Sequence, residues 1–426
     1  MRSLLLSVDG LSENDIPDLL ELLPALAHSL NHQAAVLESH AGLTSAPAIW
    51  SEILTGEPWF SSGCYGYSRV DGNLNKLSVM REKDLLAHNL LFRNETEESP
   101  SLVVNMPLLM PRPERTWLSD GSLPTRTKVS PSQLLSDEEI SKYEPRPYLD
   151  IGRASGHRVY SSVSAIHNEE IRTAAVTKLL KESKWSRCIW RLSISDQLTH
   201  LLGLGWLRST DLTCSANIRA IFSKIDSVIS DLLKTGCRVF LVSAHGQMPC
   251  SFRFHLNDFF ARANILQYDN PDKNSRQTSL RVSASELIGS RIEAFNLRSS
   301  EATINLLASR AVSPVAGCVF VNTKDGDEQR ESLCNKVAAL MEQQLHQLTR
   351  FVKIVRNPVP FEAREVVLPD LIVSLPGTEL SDVRDSGTDA PRTTHSATGF
   401  ICAPKGFSLP SEFTSFRDIH EVLHDF

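Results

Sequence analysis

Leu4 to Val8 form a short, mostly apolar run that ends in Asp9-Gly10. Such a run reads as a buried parallel strand, because parallel strands are covered on both faces and lose the in-out alternation of a half-exposed strand. Asp9 then sits at the strand's carboxyl end, and in open α/β sheets ligands bind at that edge. Three later segments carry groups of the same kind, namely Asp196 with His200, Ser243 to Gly246 with His245, and His395 with Gly399. Each follows or borders a strand-like run. Carboxylates and imidazoles gathered at one sheet edge suit a divalent metal ion, with zinc the first choice and manganese the second.

The segments between these points alternate in type. Ser12, with Asp15 three residues on, can cap a helix, and Ile16, Leu19, Leu20, Leu23, Leu26 and Leu30 recur at helical spacing. Pro24 falls inside that pattern and should kink or divide the helix. Val36 to Glu38 read as a short strand. Thr44 to Gly56 read as a loop entering a helix, with Pro47 in its first turn and Gly56 ending it. Further on, the reading is a strand at 103–106, a helix at 168–183 and a strand at 189–195 with Asp196 at its end. An amphipathic helix follows at 218–232, closed by Gly236, and Val239 to Val242 form a strand leading to Ser243. Val319 to Val321 and Leu371 to Val373 are further strands, and Glu331 to Leu345 a helix. Alternation of this kind predicts an α/β fold with a doubly wound, mostly parallel sheet flanked by helices. Residues 1–426 read as a single α/β domain, and 57–165 and 255–350 contain cap or lid insertions.

Composition narrows the function. The chain has 426 residues, 41% of them hydrophobic, and a net charge of −6 with both signs mixed. That balance gives no nucleic-acid footprint. The apolar start at Leu4 is too short for a membrane span or a signal segment, and no other run approaches a span. Eight cysteines are scattered without a paired C-x-x-C motif, which favours a reducing compartment and a cytoplasmic location. Arg112, Arg115 and Arg126 read as a solvated loop or as groups facing an anionic substrate. Oligomeric state is not encoded legibly.

Four stretches together resemble the alkaline phosphatase superfamily, and within it the type I phosphodiesterase and nucleotide pyrophosphatase branch. They are Ser7-Val8-Asp9-Gly10, the stretch from Pro47 to Gly56, Asp196-x-x-x-His200 and His395-x-x-x-Gly399, in the family's order. Phe254 to Leu266 and Pro369 to Val373 also look like family segments. The resemblance implies an alkaline-phosphatase-like core and a metal-dependent phosphoesterase or phosphodiesterase acting on a small phosphate ester, with no membrane partner. It implies one metal held by Asp196, His200 and His395, and a second held by Asp9, the nucleophile and an Asp-His pair. Two cations would clamp the phosphoryl group while a hydroxyl oxygen attacks.

Two positions depart from that pattern. The family's Ser-Asp-His-Gly is here Ser243-Ala244-His245-Gly246, so one carboxylate is missing. The nucleophile position, ten residues before Gly56, is Ala46. Thr44 and Ser45 are the neighbouring hydroxyls. The second metal position keeps only Asp9 and His245, and one ion per chain is expected. Ala46→Thr together with Ala244→Asp is then the expected route to a second. The other reading is a catalytically inactive family member that binds a ligand or a protein partner. Residue by residue the plain alternatives are Asp9 as a helix cap, Asp196 and His200 as a surface i,i+4 pair, and His395 as a solvated loop residue.

Overall fold

The computed structural model describes residues 2–70, 74, 76–85, 90–92, 95–119, 128–142, 162–208, 212–269, 281–282, 303–323, 327–346, 352–360, 363–364, 366–381 and 393–424. Eight strands make its central sheet: β1 Ser3–Ser7, β2 Leu30–Glu38, β3 Ser101–Val104, β4 Arg115–Leu118, β5 Val129–Ser130, β6 Arg187–Arg191, β7 Arg238–Ser243 and β8 Thr398–Pro404. Their order across the sheet is β2-β8-β7-β1-β6-β3-β4-β5. β1 lies between β6 and β7 and is parallel to both, and all five of its residues are buried. The apolar run is thus the sheet's centre. β8 runs antiparallel to both β7 and β2, and β5 antiparallel to β4, so the sheet is mixed but mostly parallel.

Alternate residues of β1 face opposite layers, as the two-residue period of a strand requires. Leu4 and Leu6 enter one core with Leu19, Leu26, Val176, Ile194 and Ile221. Leu5 enters the other with Ile49, Trp50, Ile53 and Ile419. The helices supplying the first layer include α1 Ile16–Leu22 and α2 Pro24–Ser29, and Pro24 divides them as expected. On the opposite face lies α3 Ala46–Thr55, buried along its whole length and stopped by Gly56 at φ 68°. α4 Ser162–Glu182, α5 Ser193–Leu202 and α6 Leu212–Lys234 complete the first layer.

Several boundaries differ from the sequence reading, two of them by a change of element type. Leu30, placed by spacing on the helix, is the first residue of β2. The strand read at 189–195 stops at Arg191, and Ser193 already belongs to α5. Asp196 therefore stands in the first turn of a helix. At the break the Asn105 amide donates to the Arg191 carbonyl at 3.0 Å, a group that a longer strand would pair, and to the Ser193 hydroxyl at 2.8 Å.

A second sheet joins Ala311–Val315, Cys318–Val321, Leu371–Ser374 and Lys353–Arg356 in that order. Its apolar residues share a core with Val337 and Met341 of the helix Asp327–Leu345. Leu371 to Val373, read as a late core strand, belongs here and not to the central sheet. Within 57–165, the strands β3, β4 and β5 join the central sheet. Among the described residues no helix is long and apolar enough to cross a membrane.

Candidate metal centre

Gly10 sets how closely the site's elements can meet. It follows Asp9 with φ at 85°, and a Cβ there would stand 2.7 Å from the Asp196 Cα. Only glycine combines that backbone angle with that approach. The first turn of α5 consequently packs against the end of β1, where Ser195 Oγ donates to the Asp9 carbonyl at 2.8 Å. Asp196 and His200, one helical turn apart, lie on the same side of α5. His395 comes from the strand Thr393–His395, which pairs with Gln247–Pro249 and sets Gln247 opposite His395. His245, just before that strand, stacks on His395 with ring centroids 3.9 Å apart. Gly399 allows β8 to close on β7, since a Cβ there would lie 2.0 Å from the Ser243 carbonyl oxygen.

Hydrogen bonds fix the two imidazoles. His395 Nδ1 is 3.1 Å from the Thr44 carbonyl, which can only accept, so Nδ1 carries the proton and Nε2 a lone pair. Thr393 Oγ1 donates to Gln247 Oε1, which leaves it to accept from His200 Nδ1 at 3.3 Å. His200 Nε2 is then bare as well. The two Nε2 atoms are 3.2 Å apart and lie 3.6 Å (His200) and 3.8 Å (His395) from Asp196 Oδ1. Gln247 Nε2 holds that same oxygen at 2.5 Å, while Asp196 Oδ2 is buried without a hydrogen-bond partner. Three electron-rich atoms facing one another repel unless a cation lies among them. One carboxylate and two imidazoles, all within 4.8 Å of one another, are a donor set that fits a divalent ion with a coordination position left open. Each donor also has the supporting hydrogen bond that orients such ligands.

The electrostatics of the site split in two. Burial pushes the Asp196 carboxyl up to about 6, against the pull of His245 and Arg191. Burial, and then nearby His245, lowers His200 to about 3, and burial with His245 and His200 holds His395 well below the usual imidazole range. Asp9 behaves oppositely. Burial would raise it, but Arg191, then His245, and the hydrogen bonds from Arg191 and Ser7 outweigh burial and hold it at about 2. Asp9 already has a cation, whereas the Asp196 group lacks one.

Ala46 begins α3 and is buried. Ser45 is the residue that caps this helix, yet its hydroxyl makes no capping bond. Thr44 is tied to His395 through its carbonyl. Ala244 donates its N–H to Asp9 Oδ1 at 3.0 Å. Arg115 is buried against Glu82 and Glu95, and Arg112 pairs with Glu82, so both are structural. Arg126 lies outside the described residues. Sequence reasoning missed Arg191, Trp50, Gln247 and Thr393. The available signals were an arginine closing the apolar run Cys188-Ile189-Trp190, Gln247 two positions after His245, and Thr393 two positions before His395 on the same strand face.

Comparison with curated proteins finds no match. Among solved structures the chain is similar to phosphonoacetate hydrolase from Sinorhizobium meliloti 1021 in complex with phosphonoformate. That likeness has a TM-score of 0.59 and 13% identity and covers 100% of this chain and 95% of that one. It is also similar to murine ectonucleotide pyrophosphatase / phosphodiesterase 5 in complex with AMP, with a TM-score of 0.52, 15% identity and coverage of 100% and 95%. For the alkaline phosphatase PafA the TM-score is 0.54 at 10% identity, with coverage of 99% and 95%. At these identities the likeness establishes the fold, a mostly parallel sheet of the alkaline phosphatase kind. The family model for type I phosphodiesterase / nucleotide pyrophosphatase matches residues 3–378, and the chain belongs to that family.

Proposed function

We propose that the protein is a phosphoric ester hydrolase that acts on a small phosphate ester from one divalent metal position. Zinc is the first choice of ion and manganese the second. The observation that carries this reading is the group Asp196, His200 and His395, whose Nε2 lone pairs and carboxylate oxygen converge. When bound, the ion supplies positive charge that draws electron density from a phosphoryl oxygen. The chain's own residues do the rest. Thr44, Thr393 and Gln247 hold the donors in one tautomer and one orientation, which removes reorganisation from the reaction. His200 and His395 are 13% and 16% exposed while Asp196 is fully buried, so the ester approaches from the imidazole side. Ser45 is the nucleophile we assign, because its hydroxyl is not used as a helix cap and its neighbour Thr44 is held against His395. Thr44 is the alternative hydroxyl.

A second reading, an inactive member that binds a ligand or a partner, is favoured by Ala46 and Ala244, which carry no reactive or metal-binding oxygen. Hydrolysis of aryl phosphate mono- and diesters with added zinc or manganese decides between them. Turnover should be lost in His395→Ala and reduced at least tenfold in Ser45→Ala. Wild-type protein no faster than His395→Ala would leave only the second reading. Cys64, Cys188, Cys237, Cys334 and Cys402 are buried thiols, and a cytoplasmic location is the one we propose for the chain.

A further inference from the structure

The Asp9 half of the site is built around a cation belonging to the chain. Arg191 closes β6 at 3% exposure, and its Nε donates to Asp9 Oδ2 at 2.6 Å. Trp50 Nε1 donates to the same oxygen at 3.1 Å. Ser7 Oγ and the Ala244 N–H donate to Oδ1 at 2.7 and 3.0 Å. Those four donors fill the four lone-pair positions of a carboxylate, so Asp9 keeps none for a metal ion. Two residues beside it that would complete a metal position, Ala46 and Ala244, have no donor atom in their side chains. Among the described residues, neither the buried Arg191 Nη2 nor the buried His245 Nε2 has a hydrogen-bond partner.

We propose that the Arg191 guanidinium takes the place of the second metal ion, so the site works with one exchangeable cation and one built into the chain. Its Nη2 donates to an oxygen of the bound phosphoryl group. A guanidinium suits this position for three reasons. It is charged at every working pH, its planar fork matches phosphate oxygens, and it cannot be lost to a chelator. Desolvation favours it too, because an unpaired buried N–H is satisfied when an anion oxygen arrives. The phosphoryl part of this inference rests on the hydrolase reading; the count of one metal does not.

The test is the zinc content of wild-type protein, loaded with excess zinc, desalted and measured by elemental analysis, beside calorimetric titration with inorganic phosphate. One zinc per chain is expected, and two, or none, overturn the proposal. In zinc-loaded Arg191→Lys, which keeps the charge and loses the fork, phosphate should bind about tenfold more weakly with zinc still at one. Unchanged phosphate affinity overturns the donor role. If that variant does not fold, Asp9→Asn with Arg191→Met removes both charges together and carries the same expectations. A protein with one zinc and Arg191-dependent phosphate binding that hydrolyses no ester upholds this inference and refutes the hydrolase.

Discussion

The two carboxylates at the heart of the site lie on adjacent elements, are equally buried, and have opposite fates. Asp9 takes four hydrogen bonds from its own chain, one of them from a guanidinium, and its carboxyl is held at about 2. Asp196 has one amide donor on one oxygen and none on the other, and burial lifts it to about 6. Burial alone therefore does not make a ligand. A buried carboxylate becomes one when the fold withholds its countercharge, and a structural anchor when the fold supplies it.

Breaking the Asp9 half should have the largest effect, and on stability. Arg191→Met leaves a carboxylate buried without its partner and should destabilise the protein by about 3–5 kcal/mol, read by urea denaturation. Its zinc affinity should change little, because no zinc donor is touched; a large loss of both would mean the halves are one unit. Breaking the Asp196 half should do the reverse. His395→Ala should weaken zinc binding by at least about 100-fold in competition with a chromophoric chelator, since even losing a supporting residue weakens such sites by roughly 10–100-fold. Gln247→Leu removes the hydrogen bond that Gln247 donates to Asp196 Oδ1 and the acceptor for Thr393, and about tenfold weaker zinc binding is expected.

Smaller effects separate the halves by protonation. With Asp196 near 6 and His200 near 3, only Asp196 holds a proton that zinc must displace at pH 5. Zinc affinity should thus fall about tenfold from pH 7 to pH 5, with nearly one proton released per ion at the lower pH in calorimetry across buffers. The sign follows from the raised value: the protonated form dominates below 6 and competes with the metal. Asp9 stays ionised throughout this range. The smallest effect belongs to Ala46→Thr with Ala244→Asp. Motif matching alone points to these changes as a way to gain a second ion, but with Arg191 on Asp9 the zinc count should remain at one. Two zinc ions in that double variant would show that the guanidinium yields to a metal.

What could be read from the chain divides along the same line. Asp9 and Asp196 stood out because each follows an apolar run, His200 because it is one helical turn from Asp196, and His395 only through the family resemblance of His395-x-x-x-Gly399. The central strand was legible because Leu4 to Val8 is a mostly apolar run without the in-out alternation of a half-exposed strand. The Arg191–Asp9 pair was not, since its members stand 182 residues apart and nothing local marks an arginine as paired. The end of β6 was misread because Leu192 and Ile194 continue an apolar pattern, while the side chain bonded at the break, Asn105, comes from a distant strand end. Local pattern records periodicity and chemistry. It does not record which distant group will satisfy a buried charge.

The position of β8 bears on how the protein is made. This strand, residues 398–404, lies between β2 at 30–38 and β7 at 238–243. On a ribosome, β2 emerges early and then waits for some 366 further residues before its neighbour exists, roughly 20–70 s at ordinary elongation rates. Throughout that interval the edge of β2 that β8 will join stands open, and from residue 243 onward that of β7 as well, the condition in which nascent strands pair wrongly or recruit chaperones. His395 arrives three residues ahead of β8. On the one-metal reading proposed above, the donor set is complete only when the sheet can close, so ion capture and sheet closure would be one late event.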